Sequence, residues 1–179
     1  VVKDLTGLGL KEAKDLVERV HLHYSADGTE TLDLARALKL LGVLSGKERK
    51  YSDAELYYKR ALAIVNTTGD TTSGIGADIL NNLGLIYYEQ GRYEEAIEMY
   101  KSALLKLQDR YGLISVQLDP TLSNLAWALW KSGKSVEAIG LWQRRLEMYG
   151  RLSDQYVMSG SYSQKNIYTY LVDSFDLSV

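Results

Sequence analysis

The sequence contains no cysteine in 179 residues, which excludes disulfides and thiol catalysis while fitting any compartment. Histidine is nearly absent. The only two, His21 and His23, stand i, i+2 apart on different sides of a helix, and without a nearby third ligand they make no metal site. A basic excess is missing as well: the net charge is −2, with Lys and Arg interspersed among Asp and Glu, so DNA and RNA are not expected partners. No apolar run reaches the roughly 18 residues of a membrane-spanning helix, and no short apolar segment with a basic flank marks a signal peptide. The chain starts at Val1 rather than methionine, so upstream residues are expected to be missing, and a targeting peptide could have gone with them. No nucleophile, base and orienting residue can be nominated together, and no cofactor is expected.

What is present is ordinary globular material, 46% hydrophobic and 25% charged, long enough to bury about 70% of its unfolded surface in one domain. Residues 77–104, ADILNNLGLIYYEQGRYEEAIEMYKSAL, carry two amphipathic helices. Leu80, Leu83, Gly84 and Tyr87 fall at i, i+3, i+4 and i+7, and Tyr93, Ala96, Tyr100 and Ala103 share a second stripe. Gln90-Gly91 breaks the two apart. The small Gly84 and Ala96 mark a close approach of facing helices, so an antiparallel hairpin is expected.

The pattern recurs on both sides. Leu38, Leu41 and Gly42 match Leu80, Leu83 and Gly84, while Tyr51, Ala54, Tyr58 and Ala61 match Tyr93, Ala96, Tyr100 and Ala103. Downstream, Leu122, Leu125, Ala126 and Leu129 precede Ala138 and Trp142. Gly42, Gly84 and Ala126 are equally spaced, and one further step of the same size aligns Ile167 with Leu125 and Leu171 with Leu129. A constant period of this length predicts an all-α solenoid of antiparallel helix pairs with at least seven helices. Its expected parts are a helical cap over 1–30, pairs over 31–69, 70–112 and 113–152, and a capping half repeat with tail over 153–179. Asn66 to Gly76 lacks a Gly-Lys-Ser/Thr ending and comes after a helix, which makes it an inter-repeat loop rather than a phosphate cradle. Asp119-Pro120 reads as an N-cap with proline in the first helical turn. Arg145 stands where Ala61 and Ala103 do, predicting looser packing of its helix on the next one.

Leu83-Gly84-Leu85-Ile86-Tyr87, with Ala96, Tyr100 and Ala103, resembles the tetratricopeptide repeat, and the interval from Gly42 to Gly84 resembles the longer repeat unit of kinesin light chain. Leu80 replaces the commonest tryptophan, Ser45 the usual tyrosine, and no proline closes the repeats. The resemblance implies a right-handed superhelix whose first helices line a concave groove, and a scaffold for a protein or extended peptide rather than an enzyme. Residues 6–18, TGLGLKEAKDLVE, resemble the C-terminal domain of the bacterial ribosomal stalk protein L7/L12. That implies a bacterium or a bacterium-derived organelle, a plastid or mitochondrion, and an intracellular chain, soluble or peripherally bound. The same helix, with Leu10, Ala13, Val17 and Val20 on one face, also matches the second helix of a degenerate repeat.

A second periodicity, with the same interval, supplies the candidate groove residues. Asn82, Asn124 and Asn166 stand one repeat apart off the core stripe, with Leu85 and Glu89, then Trp127 and Lys131, on the same faces. An asparagine amide both donates and accepts, so such a ladder can pair with an extended peptide backbone while Leu85 and Trp127 offer apolar pockets. Leu40 replaces asparagine in the first repeat, beside Val43. Alternatively, the asparagines satisfy neighbouring helix ends, or the tail from Asp173 fills the groove. By resemblance, Lys39 and Asn82 fit the clamp with which some tetratricopeptide domains hold chaperone tails. Val43, Pro120 and Asn124 occupy its other positions, which implies weak or no binding of such a tail. Two function classes stay open: an adaptor that binds its partner through the groove, and a permanent subunit of a larger complex, translation-related if the stalk-protein resemblance carries function.

Overall fold

The computed structural model describes residues 31–70 and 73–158, together with Asp15, which is helical. The expected cap over 1–30 lies outside the described residues but for Asp15, as do residues 159–179 of the half repeat expected over 153–179, with Asn166, Ile167 and Leu171. Six α-helices make up the described part: α1 Leu32–Lys47, α2 Tyr51–Thr68, α3 Ile75–Glu89, α4 Tyr93–Tyr111, α5 Asp119–Lys131 and α6 Ser135–Met158. A single 3-10 turn, Val116–Leu118, leads into α5, and there is no strand among the described residues. The all-α solenoid expected from the period is what forms. Consecutive helices pack on one another throughout, and the first helices of successive pairs, α1 with α3 and α3 with α5, also touch.

Each pair is closed by the same short turn, because the same backbone hydrogen bonds recur once per repeat. The amides of Arg49, Gly91 and Gly133 donate to the carbonyls of Gly46, Tyr88 and Trp130, and those of Lys50, Arg92 and Lys134 donate to Ser45, Tyr87 and Leu129. This pair of hydrogen bonds around a left-handed residue satisfies carbonyls that a helix end leaves open. Gly91 and Gly133 take the left-handed conformation at φ 73° and 85°, whereas the first turn imposes it on Arg49 at φ 58°.

Within the pairs, a tyrosine ring lies directly on the facing helix backbone. A Cβ built on Gly42 would stand 2.5 Å from the Tyr58 ring, and one on Gly84 would stand 2.7 Å from the Tyr100 ring. Both rings are buried, so neither can swing out of the way. In the third pair Ala126 occupies the glycine position and Trp142 the tyrosine position. There the indole is only partly buried and meets Trp127 edge-on at 5.5 Å and Trp130 at 5.8 Å, tilted 46°.

Three sequence expectations change in detail. Both ends of the loop expected over 66–76 are helical, since α2 continues through Thr68 and α3 already begins at Ile75. The Thr67 and Thr68 hydroxyls donate to the carbonyls of Ile64 and Val65, satisfying that helix end locally. Asp119 is the first residue of α5 and does not cap it; the cap position falls to Leu118, which the 3-10 turn delivers in helical conformation. The Asp119 carboxylate instead receives Arg145, Nε to Oδ1 at 2.7 Å and Nη2 to Oδ2 at 3.1 Å. Arg145 is 3% exposed and pins α6 to the start of α5, while its expected looser packing on the next helix falls outside the described residues. Finally, α6 runs on to Met158, past residue 152.

Leucine in place of Gly84 must push the buried Tyr100 ring off the α3 backbone, and the expected cost is ~1–3 kcal/mol or more. Urea unfolding measures it directly. An unchanged midpoint would mean that α3 and α4 do not meet at this residue.

Candidate partner-binding groove

The first helices α1, α3 and α5 end in the same turn, so positions one repeat apart occupy equivalent places along them. The series Val43, Leu85, Trp127 and the series Gly46, Tyr88, Trp130 run across these helices, with Lys47, Glu89 and Lys131 beside them. Side-chain volume in both apolar series rises toward the third pair. The C-terminal end of the face is thereby filled with indole, and Trp127 and Trp130 are each 46% exposed. The opposite end is open.

Between α1 and α3 lies a cleft of about 330 Å³ lined by Val43, Gly46, Lys47, Arg49, Tyr51 and Tyr58 on one side and Asn82, Leu85, Ile86 and Glu89 on the other. Four of the residues nominated from sequence, Val43, Asn82, Leu85 and Glu89, meet there. Leu85 is 42% exposed, and the Asn82 amide has no partner among the described residues. The cleft's other walls, Gly46, Arg49 and Tyr58, carried no functional signal until the repeats were aligned.

The remaining nominated residues have different surroundings. Lys39 bridges the first two pairs, its Nζ 3.1 Å from the Asp78 carboxylate. Asn124 Nδ2 donates to Asn81 Oδ1 at 3.3 Å, and the Thr121 hydroxyl donates to the same oxygen at 3.2 Å. Part of the donor capacity that a ladder would offer a peptide is thus spent joining α5 to α3. Trp127 is exposed and braced by Trp142, and Lys131 is exposed at the end of α5. A larger cleft of about 530 Å³ beside Asp70, Gly74, Lys106 and Arg110 contains none of the nominated residues.

An ionic hub holds the first seam in register. The Glu55 carboxylate on α2 accepts from Lys59 at 2.7 Å, from Arg92 at 2.9 Å and from the Tyr87 hydroxyl at 3.1 Å. Arg92 also binds Glu95 and lies over the Tyr87 ring, 4.1 Å from its centroid. At the next turn Lys134 reaches back to Glu94, so a base ending the turn repeatedly grips the preceding pair. Partial burial pushes the Glu55 pKa up, but the hydrogen bonds from Lys59, Arg92 and Tyr87 outweigh it and hold the carboxyl below the usual range. Burial, reinforced by the Glu55 charge, raises the Tyr87 phenol.

Among the described residues no group of three His, Asp or Glu side chains can hold a metal ion, and no helix is long and apolar enough to cross a membrane.

Family models described as tetratricopeptide repeat match residues 41–111 and 77–151. Among solved structures, BtubC (BKLC) from P. vanneervenii superposes with a TM-score of 0.70 at 20% identity, covering 90% of this chain and 74% of that one. Kinesin-light-chain-like repeats from Podosopora anserina superpose with a TM-score of 0.62 at 17% identity, covering 90% of this chain and 83% of that one. These likenesses show the fold. Human protein O-mannosyl-transferase TMTC1 is 40% identical over 67 residues, and the match spans 37% of this chain but only 7% of that protein.

Because the folded-state pKa of Glu55 is depressed, its stabilisation is complete above the unfolded value near 4.5 and disappears as pH falls through the lower folded value. Replacing Glu55 with Gln should cost about 1 kcal/mol at neutral pH, after discounting for the solvent-facing side of the hub. The difference from the parent chain should be smaller in acid, below the unfolded value near 4.5, than at neutral pH. Urea melts at both pH values check this, and an equal gap at the two would contradict it.

Proposed function

Because this chain belongs to the tetratricopeptide repeat family, we propose that it is a non-enzymatic scaffold that holds an extended segment of a partner protein against the face formed by α1, α3 and α5. The observation that carries this reading is the row of large apolar side chains left exposed on that face, Leu85, Trp127 and Trp130, next to an open cleft and an unengaged amide at Asn82. Aromatic and aliphatic anchors on a rigid surface supply most of the energy in protein recognition. The helix ladders satisfy their own backbone, leaving side-chain amides such as Asn82 to pair with the backbone of a bound segment. The ladder contributes through Asn82 first, because Asn124 already serves the α3–α5 seam.

A second reading is favoured by one feature. Val136, Ile139 and Leu146 expose a further apolar strip on α6, at 85%, 46% and 50%. Broad apolar area of this kind suits a subunit held permanently in a larger assembly. A bacterial or organellar setting, and any link to translation, rest on residues 6–18 alone.

Purification of the native chain with mass spectrometry of co-eluting proteins separates the two. Changing Leu85 and Trp127 together to Ala should leave the melting temperature nearly unchanged and weaken partner retention by roughly tenfold or more. Retention that survives this change but is lost with Ile139→Glu and Leu146→Glu would transfer the function to α6.

A further inference from the structure

The outer face of α6 has lost the charges that the same face of α4 carries. Where α4 presents Glu94, Glu98 and Lys101, α6 presents Val136, Gly140 and Gln143. Ile139 and Leu146 stand exposed beside them, although the equivalent Ile97 and Leu104 are buried on α4, which a further pair follows. An uncharged, apolar stripe in place of a solvated one marks a surface that something covers.

Two glycines lie in the interior of the same helix. Gly140 and Gly150 weaken it, because glycine is a poor helix former, and a Cβ on either would meet nothing within 4 Å among the described residues. No contact within the pair calls for them. A facing helix does, since a missing side chain lets a second backbone come close.

The stripe is complementary to itself when reversed about Gln143. Two α6 helices laid antiparallel about that residue set Ile139 against Leu146 of the second copy and Val136 against its Gly150, with the two Gln143 amides face to face, each able to donate and accept. Charge agrees with this register. Glu137 comes beside Arg151 of the second copy at both ends of the seam; each is exposed, and neither has an ion-pair partner among the described residues. The chain's own continuation fits less well. A helix that follows α6 as α5 follows α4 would cover Ile139 and Leu146 but leave Gly140 and Gln143 bare, because Glu98 and Lys101 stay exposed at those positions of α4.

We infer that two copies of this chain associate through α6, packed antiparallel about a two-fold axis at Gln143. The interface is isologous, so every contact off the axis occurs twice. This rests on the second reading above, which gives the α6 strip to an assembly, and names a second copy of the chain as the partner.

Sedimentation velocity of the full chain between roughly 1 and 100 μM tests it, a range that separates weak from stable dimers. The mass should rise from 20.1 kDa toward twice that value. Gly140→Arg should weaken association by roughly tenfold or more without lowering the melting temperature of the dilute chain, because arginine is the better helix former and its place is open. Glu137→Arg should weaken association as well, and Arg151→Glu in the same chain should restore it. Since the chain has no cysteine, Gln143→Cys should cross-link to itself under mild diamide oxidation, whereas Lys101→Cys, its counterpart on α4, should not. A mass of 20.1 kDa at every concentration overturns the dimer. A dimer indifferent to Gly140→Arg and to the charge reversal overturns α6 as its seam. A monomer that loses its native partner with Ile139→Glu and Leu146→Glu overturns the second copy and leaves the second reading standing. A monomer that dimerises only after Ile167→Asp and Leu171→Asp makes the chain's own C-terminal residues the occupant, which also overturns the proposal.

Discussion

A tyrosine ring laid on a helix backbone, with no Cβ between them, is the contact on which the array depends. Gly42 with Tyr58 and Gly84 with Tyr100 bring paired helices closer than any side chain at the glycine would permit. Close approach buries the flanking leucines and alanines into one continuous core. The third pair solves the same problem with a methyl group at Ala126 and a larger ring at Trp142, and its solution has a surface consequence. Displaced outward, Trp142 stacks against Trp127 and Trp130 and holds two indoles in partly exposed positions. Core packing in one repeat thus shapes the face on which a partner would lie.

Each seam between pairs rests on a small set of polar contacts in addition to its apolar ones. Lys39 with Asp78 and the Glu55 hub join the first pair to the second; Asn81 with Thr121 and Asn124 joins the second to the third. In a solenoid, each unit touches only its neighbours, so these contacts set the angle between units and hence the width of the groove. Exposed ion pairs alone contribute little energy. Geometry is their main product. The hub is the exception in strength, because one carboxylate receives three donors around a buried ring.

Much of this was legible in the sequence because the hydrophobic period, the glycines and the turn residues all repeat at the same interval. The pairing of Leu83, Gly84 and Tyr87 with Ala96 and Tyr100 needs only the 3.6-residue helical period. The placement of Val43, Asn82, Leu85 and Glu89 on one face came from the same register. What remained hidden depends on distances between helices that no single stripe encodes. Asn82 and Asn124 look identical along the chain, yet only Asn124 has Asn81 of the preceding repeat within reach. The bond from Arg145 to Asp119 stayed hidden because Asp119 lies 26 residues earlier and looked like a helix cap. The cleft beside Gly46 and Arg49 was not singled out in the sequence, because its walls come from different helices.

The interlock of ring and backbone is most directly tested by a double-mutant cycle on Gly84→Ala and Tyr100→Leu, with stabilities from urea unfolding. Gly84→Ala alone should cost about 1–3 kcal/mol, whereas in the Tyr100→Leu background the added methyl group meets no ring and should cost little. A coupling energy of about 1–2 kcal/mol is the expected result. Additive effects, with no coupling, would mean that the ring and the glycine do not share a contact, and the register of the whole array would have to be redrawn.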